Sequence, residues 1–188
     1  MILTLKSIKR VVISGSPGGG KTKIIELLKE RGYIVYEEYS RSLIEELKSD
    51  NIINPFLKKP EEFSQILFKE RSKQYLDSIN ITKSKGNLVF FDRGVHDIYA
   101  YLLAIGKANE TWKKKITNFK YDFIFLVKPW IDIYKNDSHR LEPFESAKNY
   151  YTFIKKTYKI TNEVIEIPKT SVDKRTDFVE SYLSSYNG

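Results

Sequence analysis

The residues with the clearest capacity for chemistry form a glycine-rich segment near the start of the chain, where residues 15–22 read GSPGGGKT. This spacing matches the phosphate-binding loop G-x-x-x-x-G-K-[ST], whose glycines allow backbone N–H groups to surround an anion. A short apolar stretch precedes the segment, and residues with helical apolar spacing follow it. A strand before the loop and a helix after it are the context that such a site requires.

The loop pattern predicts a site for ATP and Mg²⁺. Lys21 is expected to reach the β- and γ-phosphates, and the Thr22 hydroxyl is expected to ligate Mg²⁺. The alternative is a glycine-rich turn between a strand and a helix that binds no ligand. The predicted nucleotide-binding residues are Gly15, Ser16, Gly18, Gly19, Gly20, Lys21, Thr22 and Lys23.

Acidic residues follow two of the predicted buried strands. Ligands of open α/β sheets bind beyond the carboxyl ends of the strands, so residues at these positions are candidates for the site. Asp92 follows an apolar strand and is expected to hold Mg²⁺ directly or through water, although it could also cap the next helix. Glu38 is expected to accept a proton from a substrate hydroxyl or to help hold the metal; a charged helix start is the alternative.

Three arginines complete the predicted site. Arg93 could contact a substrate phosphate or anchor a neighbouring carboxylate, and Arg41 could pair with Glu38 or bind substrate. Arg140 lies in a polar segment, about residues 130–142, that is either a lid over the phosphates or a solvated loop. As a lid residue it would stabilise charge on the transferred phosphoryl group. The predicted catalytic residues are Lys21, Glu38, Asp92 and Arg140, and the predicted substrate-binding residues are Arg41 and Arg93.

Strand-like and helix-like segments alternate along the chain, which predicts an α/β fold of the P-loop type: a five-stranded parallel sheet flanked by helices. No internal repeat or flexible linker interrupts the pattern, so residues 1–188 are expected to form one domain. The predicted strands span about 9–14, 33–36, 87–91, 122–127 and 163–167. The predicted helices span about 21–31, 40–48, 60–79, 98–105, 109–117, 144–158 and 173–184.

The composition excludes several classes of function. The chain contains no cysteine, which rules out disulfides, thiolate metal sites and cysteine catalysis. No apolar run approaches the length of a membrane span, and the first ten residues are too short to be a signal peptide. A cytoplasmic location is expected, chiefly because nucleoside triphosphates are found there. The net charge of +8 favours a lysine-rich solvated surface. The alternatives are a surface that binds nucleic acid or an anionic membrane, and a basic cleft for phosphorylated substrates.

Five segments, in their order along the chain, resemble the NadR-like AAA-domain family of small P-loop proteins: GSPGGGKT, EEYSR, FFDRG, KPWIDIYKNDSHR and IPKTSVDKR. That family includes the ribosylnicotinamide kinase domain of NadR proteins. The resemblance implies a nucleoside-kinase-like fold with a central five-stranded parallel sheet and a lid. It also implies that Glu38 is the acceptor base, that Asp92 is the aspartate of the D-R-G element and that Arg140 is the lid arginine. The turn at residues 168–172 would border the nucleotide base. No ribosylnicotinamide contact is recognisable after the lid, so the substrate does not carry over.

These observations favour an ATP- and Mg²⁺-dependent phosphotransferase that acts on a small nucleoside-like or phosphorylated molecule. Catalysis would come mainly from positioning and electrostatic stabilisation. The alternative is a regulatory ATPase that binds nucleotide as a switch and has no small-molecule acceptor; a nucleic-acid-associated ATPase is suggested only by the net charge. No N-K-x-D element follows a predicted strand, so ATP is expected to be preferred over GTP.

Overall fold

The computed structural model of the protein describes residues 7–40, 43, 58–134 and 144–186. Within these ranges the chain forms a five-stranded parallel sheet with helices on both faces, which confirms the predicted α/β fold. The strands are β1 (Lys9–Gly15), β2 (Ile34–Tyr36), β3 (Leu88–Asp92), β4 (Phe123–Val127) and β5 (Val164–Ile167). The helices are α1 (Lys21–Glu30), α2 (Pro60–Ile79), α3 (His96–Ala104), α4 (Glu110–Thr117), α5 (Phe144–Tyr158) and α6 (Val172–Ser185).

The sheet has the strand order β2-β3-β1-β4-β5, and every neighbouring pair is parallel. Its register aligns Ile13 of β1 with Asp92 of β3, and Gly15 of β1 with Val127 of β4. The carboxyl ends of the three central strands therefore finish at the same edge of the sheet. The loop after β1 and the acidic end of β3 share that edge.

The central strands are apolar on both faces because helices cover both. One core joins β1, β3 and β4 to α1 and α6, and includes Ile13, Ile24, Phe90, Phe125 and Val179. The core on the opposite face joins the sheet to α3 and α5, and includes Val12, Phe91, Ile124, Ile154 and Tyr158. Successive side chains of each strand enter these two cores in turn, so the ends of the strands are packed on both faces. The residues that follow the strands therefore begin at fixed positions.

The predicted elements agree closely with those of the structure, with differences of one or two residues at their ends. Helix α3 begins at His96, two residues before the apolar repeat that predicted it, and the added residues His96 and Asp97 are polar but buried. Most of the predicted helix at about 40–48 lies outside the described residues. Among the helices that are described, none has both the length and the apolar character needed to cross a membrane.

Candidate active site

The glycine-rich loop occupies the sheet edge between β1 and α1. Gly15 has φ of 131°, and a Cβ atom there would lie 2.2 Å from the carbonyl oxygen of Val127. Only glycine accommodates both the backbone angle and this close approach. The Ser16 N–H donates to the same Val127 oxygen at 3.2 Å, and the Gly19 N–H donates to the Ser16 oxygen at 3.3 Å. The chain turns tightly before α1 begins at Lys21, so the loop lies at a helix N-terminus, where anions are favoured.

Helix α5 and the residues after β4 lie beside this loop. The Ser16 hydroxyl donates to the Ala147 carbonyl at 3.1 Å, and a Cβ atom on Gly20 would lie 3.0 Å from the Ile133 side chain. The rings of Tyr134 and Phe144 are in edge-to-face contact, with their centres 5.2 Å apart. The described start of the predicted lid, up to Tyr134, and the helix that follows the lid therefore lie near the loop. Arg140, the predicted lid arginine, lies outside the described residues, as does the nearby Lys135.

Lys21 brings together the loop and the two predicted carboxylates. Its side chain is buried, and its ammonium group pairs with the Asp92 carboxylate and lies 3.6 Å from a Glu38 carboxylate oxygen. Burial raises the pKa of Asp92; Lys21 opposes this effect, and the neighbouring Glu38 charge adds to it. Burial would also raise the pKa of Glu38, but Arg93 and Lys21 outweigh it and hold that pKa well below its usual range.

The oxygen donors at this point suit Mg²⁺. Asp92 and Glu38 already converge on one cation, the Lys21 ammonium, and Thr22 adjoins it in the first turn of α1. In the part of the chain that the structure describes, no group of three acidic or histidine side chains forms a ready metal site. Mg²⁺ usually takes one or two carboxylates and completes its shell with water and phosphate oxygens, so this donor set fits a metal that arrives with a nucleotide.

Arg93 follows β3 and anchors Glu38, as one of its two predicted roles requires. Its Nε donates to Glu38 Oε1 at 2.7 Å, and its Nη1 donates to Asp97 Oδ1 at 2.8 Å and to the Gly15 carbonyl at 3.2 Å. Arg93 also has φ of 68°, a left-handed angle that surrounding contacts must enforce in a residue with a side chain. The Ser40 hydroxyl donates to Glu38 Oε1 at 2.6 Å. Arg41, the other predicted partner of Glu38, lies outside the described residues.

Two further charged residues that the sequence analysis did not select lie beside this pair. Asp97 is buried in the first turn of α3, and Arg71 is buried on α2 with its Nη1 donating to the Gly94 carbonyl at 3.3 Å. The positive charge of Arg71 helps to hold the pKa values of Glu38 and Asp97 low. Arg71 falls two turns after Phe63 and one turn after Leu67, so a charge on an apolar helix face was the available signal. We call Glu38, Arg71, Arg93 and Asp97 the carboxylate–arginine cluster.

The opposite side of the loop contacts α6. The buried Arg175 donates from Nη1 to the Gly19 carbonyl at 3.0 Å, and its guanidinium lies 5.7 Å from the centre of the Trp130 ring. Burial lowers the pKa of Arg175. Trp130 itself donates from Nε1 to Asp132 Oδ2 at 2.7 Å. Lys23, by contrast, has an exposed side chain that pairs with Glu26 at 2.7 Å, so any contact with nucleotide would come from its backbone.

Comparisons with known proteins agree with this architecture. A family model described as an AAA domain matches residues 10–175. The probable deoxycytidine kinase of fowlpox virus (strain NVSL) is 28% identical over 161 residues, which cover 76% of this chain and 66% of the viral protein, slightly less than two thirds of its length.

Two solved structures share the fold at low sequence identity. Deoxyadenosine kinase from M. mycoides with bound dATP is 16% identical, with a TM-score of 0.64 over 93% of this chain and 99% of that one. The NadR protein in complex with NR is 17% identical, with a TM-score of 0.70 over 96% of this chain and 51% of that one. The family match and the phosphate-binding loop show that the chain belongs to the AAA-domain family, and it shares its fold with the deoxyadenosine kinase and NadR structures.

Proposed function

We propose that the protein is a nucleoside kinase that transfers the γ-phosphoryl group of Mg²⁺-bound ATP to a nucleoside hydroxyl. The observation that carries this proposal is the position of Glu38, a largely buried carboxylate held between Lys21 of the loop and Arg93 of the cluster. A group at this point lies next to the γ-phosphate that Lys21 would bind. It is therefore within reach of the acceptor in a direct transfer.

The charge balance favours a neutral acceptor over a phosphorylated one. Three cations, Lys21, Arg71 and Arg93, face three carboxylates, Glu38, Asp92 and Asp97; all are buried except Arg93 and Glu38, whose side chains are 11% exposed. Among the residues that the structure describes, the cationic charge beside Glu38 is therefore already compensated. An acceptor phosphate would meet the ionised Glu38 and repel it, whereas a hydroxyl can donate a hydrogen bond to it.

In this mechanism the residues act by position and charge. The loop N–H groups and Lys21 hold the β- and γ-phosphates, and Glu38 orients the acceptor hydroxyl in line with the γ-phosphorus. The acceptor oxygen forms a bond to phosphorus as the bond to the β-phosphate oxygen breaks, and the hydroxyl proton passes to Glu38. Asp92 and Thr22 would hold Mg²⁺, which would supply positive charge to stabilise the charge that develops on the phosphates. The products are ADP and a nucleoside monophosphate.

The names of the relatives support this choice, since two are deoxynucleoside kinases and the NadR structure contains NR. The test is a panel that offers deoxycytidine, deoxyadenosine and ribosylnicotinamide, with the matching monophosphates as a parallel series. ADP formation and product mass would be measured with Mg²⁺-bound ATP, and with GTP as a second donor. We expect phosphorylation of a nucleoside, with ATP preferred.

Two results would contradict the proposal. Phosphorylation of monophosphates alone would identify a nucleotide kinase and overturn the charge argument. ATP hydrolysis that no member of the panel accelerates would favour the regulatory ATPase, which has no small-molecule acceptor.

A further inference from the structure

Asp97 has more contacts than the start of a helix requires. Its side chain is 1% exposed, and both of its carboxylate oxygens are engaged. Oδ1 accepts from the Ser14 hydroxyl at 2.6 Å and from Arg93 at 2.8 Å. Oδ2 accepts from the Gly94 N–H at 3.2 Å and from the Tyr158 hydroxyl at 2.5 Å. These donors come from β1, from the segment after β3 and from α5, so Asp97 links three separate parts of the fold.

A buried carboxylate in this position is not explained by stability alone. Replacing a buried ion pair with well-packed apolar residues is often neutral or stabilising, so the charge itself points to another role. The contact between Asp97 and Arg93 indicates such a role. Nε of Arg93 donates to Glu38, while Nη1 donates to Asp97 and to the Gly15 carbonyl. With both ends of the guanidinium held, its plane, and with it the position of Glu38, is fixed.

The close packing around Gly94, in part by Tyr158 of α5, also supports this arrangement of Asp97 and Arg93. A Cβ atom on Gly94 would lie 2.8 Å from the Tyr158 hydroxyl and 2.9 Å from the Tyr121 ring. Tyr158 also receives the Gly94 N–H at 3.0 Å while it donates to Asp97. The two tyrosines therefore hold the backbone next to Arg93 closely, and Tyr158 orients the carboxylate that orients Arg93.

We propose that Asp97 is a positioning residue: supported by Tyr158, it holds Arg93 in the orientation that places Glu38 for its reaction with the acceptor. Asp97 itself acts through Arg93 and does not touch the acceptor. The catalytic part of this inference rests on the proposed function, because Glu38 acts on an acceptor only there. The structural part, that Asp97 immobilises Arg93, does not depend on any acceptor.

The structural part can be measured by NMR of protein that contains ¹⁵N-labelled arginine. The Nε–H signal of Arg93 would be assigned by its loss in Arg93→Lys. In the wild type we expect slow exchange of this proton with water, and in Asp97→Asn an exchange at least about tenfold faster. Asp122→Asn is the matched control, since Asp122 also pairs with a cation and accepts a backbone N–H but lies outside the site. Unchanged Arg93 exchange in Asp97→Asn would overturn the inference, whether or not an acceptor is known.

The catalytic part needs a double-mutant cycle, measured with a nucleoside that the wild type phosphorylates. Asp97→Asn should lower kcat by roughly tenfold to a hundredfold, as misplacement of a reacting group does, with ADP affinity changed less than about twofold. In an Arg93→Lys background, the same substitution should change kcat by less than about twofold, because the group it orients is gone. Equal losses in both backgrounds, or a matching loss of ADP affinity, would indicate a structural role only.

Tyr158→Phe provides a second variant if Asp97→Asn does not fold. It removes one hydroxyl from Asp97, and we expect a smaller loss of kcat, about threefold to tenfold, which should also disappear in the Arg93→Lys background. Tyr33→Phe is its control, because the Tyr33 hydroxyl also donates to a carboxylate, that of Glu180 at 2.9 Å, but lies outside the cluster. Failure of the wild type to phosphorylate any nucleoside would reject the proposed function, and the NMR result would still decide the inference.

Discussion

The phosphate-binding loop and the carboxylate–arginine cluster lie side by side, but the chain builds them in different ways. The loop is one continuous segment of residues 15–22, and its shape follows from glycines, one strand and one helix. The cluster takes its four members from the residues after β2, from α2, from the turn after β3 and from α3. A local site is readable as a pattern, whereas a site of this second kind exists only once distant segments have packed together.

The two regions should also respond differently to substitution. Changes in the loop should affect nucleotide binding and turnover together, since the loop holds the nucleotide. Changes in the cluster or the lid should lower the rate of transfer and leave nucleotide binding nearly intact, because they act on the acceptor or on the transition state.

Lys21→Ala should have the largest effect. It removes the charge-assisted contact to the phosphates and leaves Asp92 and Glu38 facing each other without their shared cation. We expect turnover to fall by about a thousandfold or more, and ATP affinity to fall as well. Calorimetric titration and steady-state assays can measure both. Lys29→Ala is the control, since Lys29 lies on the same helix in an exposed pair with Glu37. Unchanged affinity and activity in Lys21→Ala would reject this assignment of the site.

Arg140→Ala tests the lid, which the sequence alone predicts. An arginine that acts on the transition state contributes roughly 10³–10⁵ in related phosphoryl transfers, so we expect a rate loss of about a hundredfold or more. ADP should bind nearly as well as in the wild type. Single-turnover kinetics and ADP titration separate the two effects, and a wild-type rate would remove Arg140 from the mechanism.

Glu38→Gln tests the cluster at the residue that would meet the acceptor. It should retain ATP binding and lose about a hundredfold in transfer, within the range that general bases contribute, while any slow hydrolysis by water persists. Glu37→Gln is a well-matched control, because Glu37 is the adjacent residue and is exposed. Single-turnover transfer at equal rates in the two variants would argue against Glu38 as the acceptor base and favour the nucleotide-switch alternative.

The smallest effect concerns the stability of the region behind the cluster. His96 is buried beside Asp97 and stacked on Tyr158, and burial lowers its pKa from 6.5 to about 4. Between these pH values the unfolded chain binds a proton that the folded chain excludes. The free energy of unfolding should therefore decrease as the pH falls through this window, by roughly 1.4 kcal/mol per pH unit at most.

His96→Gln should remove this part of the pH dependence, because glutamine does not titrate. Urea unfolding of the wild type and the variant, at several pH values between about 4 and 7, would measure the difference in slope. Parallel pH profiles for the two proteins would show that His96 does not account for the loss of stability in acid.

Most of the fold could be predicted because its signals are local. Apolar runs indicated the central strands and helical apolar spacing indicated the helices, so the bounds of the described elements agree to within one or two residues. The strand order could not be read in this way, since it depends on which strands pair after the crossovers have packed. The lid and Arg41 remain predictions from the sequence.

The same distinction between local and tertiary signals applies to the candidate site. The sequence by itself determined the phosphate-binding loop and the presence of acidic residues at the ends of β2 and β3, because these are properties of short continuous segments. For Arg93 it left two roles open, and only the tertiary structure decided that Arg93 anchors Glu38. The contribution of Asp97 and Arg71 to the site became recognisable only in the tertiary structure. A charge on an apolar helix face can indicate burial, as it does for Arg71, but the role of the side chain depends on partners that folding brings within about 3 Å of it.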